Sequence, residues 1–289
     1  MKRRRFSEAI MAVAMLAGSA GVAQGEAVDG LSFRADSQRI AAGTVNQGAA
    51  ARCRSNARVI SGGVSANRAS NRRLIGGSYP LSPGSNGVWS GYMTNRSSRG
   101  LRVSTTAVCA KGAFATGIES VRTSAGTVAT SQTQQFAACP PGSRVIGGGG
   151  ASNAISDPTA IVGVGPVDGP DGNTRPDDGW EVRVDNLSAT TPGFIASDVT
   201  CAPREEIEAT ISRPSVDKRV PRSARKVVSV HCPHHGKATG GGVFSNANYN
   251  ESTVATSAPS ADHESWVVEV RNKSTAHRLD LSAYAVCAR

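Results

Sequence analysis

The chain has 289 residues and a formal net charge of +10, from 32 Lys and Arg against 22 Asp and Glu. Aromatic residues make up only 4% of it, while glycine alone fills 32 positions. That balance excludes a helical bundle and a large α/β enzyme and favours short strands joined by turns.

Lys2 to Arg5 are cationic, Ala9 to Ala17 form a weakly apolar core, and Gly21-Val22-Ala23 or Gly25-Glu26-Ala27 offers small residues to a peptidase. Residues 1–27 therefore read as an export signal, removed from a mature protein that works as a secreted, cell-envelope or periplasmic species. Arg3-Arg4-Arg5-Phe6 also fits the twin-arginine pattern, so the sequence leaves the export route open. Past the signal, no apolar run is long enough to span a membrane.

Six cysteines follow at 53, 109, 139, 201, 232 and 287. Taken in consecutive pairs their separations are 56 (109−53), 62 (201−139) and 55 (287−232), with gaps of 30 (139−109) and 31 (232−201) between pairs. Other marks keep that register. Ten residues after each first cysteine a glycine run is under way: Gly62-Gly63, Gly147 to Gly150, Gly240 to Gly242. Fourteen residues after it stands Asn67, Asn153 or Asn246, and six after each tryptophan (Trp89, Trp180, Trp266) stands Asn95, Asn186 or Asn272, each opening Asn-x-Ser. The chain is a threefold duplication, with copies over 28–115, 116–204 and 205–289.

Within one copy the strands follow from alternation. Lys226 to Cys232, Trp266 to Arg271 and Leu279 to Cys287 read as strands of copy three, matched by Trp180 to Val184 in copy two and Leu101 to Cys109 in copy one. Asn-x-Ser between the last two strands predicts a hairpin, since Asn tolerates the left-handed region and bonds its own backbone. The glycine run predicts positive φ angles or a close backbone approach at a bulge or corner. A unit this poor in aromatics needs a staple, and closing a loop of about 57 residues constrains the unfolded chain by roughly 4 kcal/mol. Duplication selects Cys53–Cys109, Cys139–Cys201 and Cys232–Cys287 from the 15 possible connectivities. The fold class is all-β: three tandem disulfide-stapled antiparallel repeats, as small sandwiches or as one pseudo-threefold, β-prism-like body.

The copies resemble a known repeat. Cys139-Pro140-Pro141-Gly142 with Gly147 to Gly150, and Cys232-Pro233 with Gly240 to Gly242 and Tyr284 to Ala288, are similar to repeats of secreted proteins of high-GC bacteria. Copy one departs from the pattern, with Arg54 after its cysteine and two glycines only. The threefold β repeat is also similar to the β-prism of vitelline membrane outer layer proteins, whose units are shorter. Neither resemblance implies an activity.

Charge separates the copies. Residues 51–110 hold nine arginines (Arg52, Arg54, Arg58, Arg68, Arg72, Arg73, Arg96, Arg99 and Arg102) and no Lys, Asp or Glu. Residues 137–202 carry eight acids against three arginines, and residues 230–289 balance five against five. The nine arginines, with Trp89 among them and Tyr79 and Tyr92 nearby, make the candidate ligand-binding face, because guanidinium forks suit phosphate and carboxylate. The same surplus also reads as a solubilising face or a partner for acidic copy two.

No nucleophile elbow, zinc-protease helix, P-loop or dinucleotide fingerprint occurs. His231, His234, His235, His263 and His277 all lie in copy three, and Asp168 to Asn173 with Asp177 and Asp178 form an acidic insert, but neither has metal-site spacing once Cys232 is in a disulfide. The three tryptophans read as core plugs over the disulfides rather than sugar platforms, and the Asn-x-Ser triplets as turns rather than glycosylation acceptors. The expected function is a non-catalytic binding module with no cofactor or metal, whose partner is an anionic cell-envelope or extracellular polysaccharide and not nucleic acid. A structural or protein-interaction role, as an adhesin or inhibitor, is the alternative.

Overall fold

The computed structural model describes residues 30–67, 73–81, 87–153, 158–169, 173–207 and 211–289. The signal expected over 1–27 lies outside them, as do Arg68 and Arg72. Copy one supplies β1 (Leu31–Ile40), β2 (Gln47–Arg52), β3 (Arg58–Ala66), β4 (Arg73–Pro80), β5 (Val88–Asn95) and β6 (Leu101–Ala110). Copy two repeats this as β7 (Glu119–Thr127), β8 (Gln132–Ala138), β9 (Ser143–Asn153), β10 (Thr159–Val167), β11 (Gly179–Asn186) and β12 (Gly193–Pro203). In copy three the first strand is broken into β13 (Ile211–Ser212) and β14 (Ser215–Val220), followed by β15 (Arg225–His231), β16 (Lys237–Ser245), β17 (Ser252–Pro259), β18 (Ser265–Asn272) and β19 (Leu279–Ala288).

Every copy is split between two antiparallel sheets. One sheet runs β1-β6-β3-β17-β18-β15, the next β2-β5-β4-β9-β12-β7, and the third β13-β19-β16-β10-β11-β8 with β14 also on β19. Each sheet is thus half one copy and half another, joined at one or two rungs: Val64 to Ser257, Gly77 to Ala151 and Ser78 to Gly150, and Val164 to Val243. The three copies close into one pseudo-threefold body, not three separate sandwiches. Among the described residues no helix is long and apolar enough to cross a membrane.

The predicted hairpin after the tryptophan strand is not present. β5 and β6 lie in different sheets, as do β11 and β12, and β18 and β19; the hairpin of each copy joins its fourth and fifth strands, with Pro80 opposite Trp89, Pro166 opposite Trp180 and Pro259 opposite Trp266. Asn-x-Ser instead turns the corner from one sheet to the next. Asn95 donates through Nδ2 to the Ala41 and Arg99 carbonyls and accepts the Ser97 amide; Asn272 donates to Val220, Pro221 and His277 and accepts the Ser274 amide. All three asparagines are fully buried, and none has a positive φ. Hydrogen bonding, not left-handed backbone, selects them.

The glycine runs lie inside β3, β9 and β16, directly after a bulge at Ile60, Ile146 or Thr239. Close approach is their purpose, since no glycine of the runs has a positive φ. A Cβ on Gly62, Gly148 or Gly241 would come within 2.5, 2.4 and 2.4 Å of the indole of its own copy's tryptophan. One residue earlier, Ser61, Gly147 and Gly240 meet one another on the pseudo-threefold axis: a Gly240 Cβ would lie 3.0 Å from Gly147 Cα and 3.4 Å from Ser61 Oγ. Copy one's missing glycine is therefore an axial serine, whose hydroxyl donates to the Gly148 carbonyl at 3.4 Å.

The disulfides pair as duplication requires, Cys53–Cys109, Cys139–Cys201 and Cys232–Cys287, with Cα separations of 5.7, 5.7 and 5.6 Å. Each ties the exit of a copy's second strand to its sixth strand in the neighbouring sheet, so it staples a corner. Trp89 packs directly on its disulfide with Ala51, Val59 and Ala107.

Candidate anion-binding site

The seven described arginines of residues 51–110 do not form one face. Arg52, Arg54 and Arg58 are exposed at the disulfide end, where Arg58 donates to the Ile118 carbonyl at 3.1 Å. Arg96, Arg99 and Arg102 are exposed at the opposite end, around the Asn95 turn. Arg102 and Cys109 are seven strand steps apart on β6, about 23 Å at strand rise. Arg73 is 1% exposed and spends its charge on Glu269 of copy three at 2.5 Å. Trp89 is also 1% exposed, so it belongs to the core and is out of a ligand's reach.

What the fold brings together is a smaller set. β1 pairs with β6 so that Arg39 stands directly opposite Arg102. Arg99 approaches from the turn, and with Asn67, Gly100 and Leu101 these residues line a groove of about 350 Å³. Arg102 donates to Ser37 Oγ at 2.9 Å; among the described residues no carboxylate pairs with any of the three arginines. Like charges facing each other across a ladder oppose folding, so this rung exposes two guanidinium forks at a cost. Arg39 precedes the first cysteine and escaped a reading framed by cysteine pairs. Its signal was the strand ending Gln38-Arg39-Ile40, which the pairing sets against Arg102.

The aromatics nearest the surface stand on another sheet. Tyr79 and Tyr92 meet edge to face at 5.9 Å, with the Arg122 guanidinium 5.6 Å over the Tyr79 ring. With Phe194, 41% exposed, they wall a cleft of about 540 Å³ floored by Gly48, Ala50 and Gly91. Burial pushes the Tyr92 hydroxyl well up and Tyr79 adds to this; the hydroxyl donates to the Ser152 carbonyl at 2.6 Å. Burial likewise raises the Asp198 carboxyl, opposed by the two bonds from Arg122 at 2.7 and 3.1 Å.

Copy two's acids are largely engaged within the fold. Arg144 pairs with Asp177 at 3.4 Å and with Asp178 at 3.1 Å, and Asp178 also accepts the Gly169 amide. The histidines of copy three are dispersed: His231 bonds Ser265, His235 meets Glu264, His277 meets Glu251, and His263 stacks on Phe33 at 3.8 Å. Among the described residues no three His, Cys, Asp or Glu side chains converge to hold a metal. No family model matches the chain, and no curated protein matches it in sequence.

Proposed function

We propose that this is an exported, non-catalytic binding module for an anionic polysaccharide of the cell envelope or extracellular space, recognised through its repeating phosphate or carboxylate groups. The signal-like residues 1–27 and three disulfides support export, because such bonds persist in oxidising compartments. The observation that carries the ligand assignment is the facing pair Arg39 and Arg102, joined by Arg99 in one groove with no carboxylate partner among the described residues. Forked donors of this kind take phosphate or carboxylate bidentately.

Retention of the oxidised protein on immobilised polyuronate and on a phosphodiester-linked glycan, at low and high salt, tests the reading. Binding is expected to weaken steeply with salt and to vanish in Arg39→Ala/Arg102→Ala with the fold intact. Retention indifferent to salt and to that double substitution overturns it and favours the protein-interaction role.

A further inference from the structure

We infer that the site continues across this end of the body onto copy three, so that its ligand is an extended polyanion laid over two of the three copies. The inference rests on the reading above and adds length and direction to it. Pseudo-threefold symmetry supplies an internal comparison. The rung that is Arg39 opposite Arg102 in copy one is Arg219 opposite Asp280 in copy three and Gly126 opposite Phe194 in copy two. Arg219, Arg222 and Arg278 line a second groove of about 340 Å³ with Pro221 and Ala276, beside that rung on copy three.

Cations also occupy the Asn-x-Ser turns of copies one and three. The middle residue of Asn-x-Ser is Arg96 in copy one and Lys273 in copy three, but Leu187 in copy two. Lys273 donates to Asn250 Oδ1 and sits in the field of Arg96 and Arg271. Burial holds its ammonium below the usual lysine range; Asp185 works against this, and the two arginines add to it. Two outer carboxylates temper the end: Asp280, 3.4 Å from Arg219, and Glu251, which meets His277 at 3.1 Å. Arg222 and Arg278 remain exposed beside them. Copy two shows that the fold does not need these charges, since it builds the same corner from Gly126, Leu187 and Phe194.

The lining of the two arginine grooves contains no aromatic side chain, and Phe244 and Tyr284 line an adjoining groove that shares Arg219. Single-stranded nucleic acid is gripped by stacking bases on such rings, so a polysaccharide bearing spaced anionic groups fits this end better than a nucleic acid.

Titration of the oxidised full chain with polyuronate oligomers of four and of twenty units, over a salt series, separates the possibilities. Arg222→Ala/Arg278→Ala is expected to weaken the long oligomer about tenfold and to lower its salt slope by about two. The short oligomer is expected to bind that variant as it binds wild type, and Arg222→Lys/Arg278→Lys to restore most of the loss. If the copy-three variant binds long oligomer like wild type while Arg39→Ala/Arg102→Ala abolishes binding, the site ends at copy one and this inference fails alone. If neither variant changes binding, the reading of the first groove fails with it. Tighter binding of a homopolymeric single-stranded DNA of equal charge overturns the polysaccharide assignment.

Discussion

Trp180 differs from its two counterparts by one hydrogen bond. Trp89 donates through Nε1 to Ser78 Oγ at 2.9 Å and Trp266 to Ser257 Oγ at 3.0 Å. Val164 holds the corresponding place in copy two, and the buried Trp180 Nε1 has no partner. An orphaned buried N–H costs about 1–3 kcal/mol. Ser257→Ala is therefore expected to lower unfolding free energy by about that amount, by creating in copy three the defect copy two already has. Val164→Thr runs the comparison the other way, since its hydroxyl offers Trp180 an acceptor within nearly the same volume. It should sit within about 1 kcal/mol of wild type, whereas Val184→Thr, a buried control with no orphaned donor to satisfy, should lose clearly more in the same denaturant titration. Equal losses for the two threonines would falsify the account.

At the scale of elements the turns carry the most concentrated bonding. Asn272 makes three donations and one acceptance from a fully buried amide, so Asn272→Ala is expected to cost about 2–3 kcal/mol, read as a lowered melting temperature with unchanged disulfides. A pH effect belongs to the neighbouring turns. Burial raises the Asp185 carboxyl above its ordinary value of 3.8, opposed by Gln132, by the Asn250 amide and by Lys273. A raised folded-state value means the native state binds the proton more tightly, so this group favours folding at low pH and loses that contribution as pH rises above 3.8. Asp185→Asn should remove the loss, and its melting temperature relative to wild type should climb between acid and neutral pH; a constant difference would refute this. Alternation and cysteine spacing made the strands and the disulfides legible. They did not make the sheets legible, because alternation in β6 or β19 reports exposure and says nothing of which strand lies alongside. The hairpin error came from that gap. Pro80, Pro166 and Pro259 stand 27 residues after the first cysteine of their copies (80−53, 166−139, 259−232) and mark the true hairpin; this signal was present and unread. The site was legible as a charge surplus only, since burying Arg73 and setting Arg39 against Arg102 are decisions of the tertiary fold.

For the whole molecule the decisive feature is that no copy owns a sheet. A separated copy would hold two three-stranded half-sheets whose joining edges, at Val64 and Ser78 in copy one, face empty solvent where Ser257 and Gly150 belong. It would also lose the axial contact of Ser61, Gly147 and Gly240. Arg73 and Glu269, 196 residues apart in sequence, show how far the copies depend on one another, because each is a buried charge compensated by a different copy. Removing Glu269 takes the carboxylate from a guanidinium that is 1% exposed, so Glu269→Ala is expected to cost about 3–5 kcal/mol, and Arg73→Met/Glu269→Met to recover much of that. The same interdependence predicts one cooperative thermal transition for the oxidised full chain. A fragment spanning 116–204 with Cys139–Cys201 formed keeps its own staple and tryptophan but lacks both sheet partners. It is expected to show no cooperative unfolding by circular dichroism and no dispersed amide spectrum. A fragment that melts cooperatively on its own would mean that each copy is an autonomous domain and that sheet sharing is a docking of folded parts, not the act that folds them.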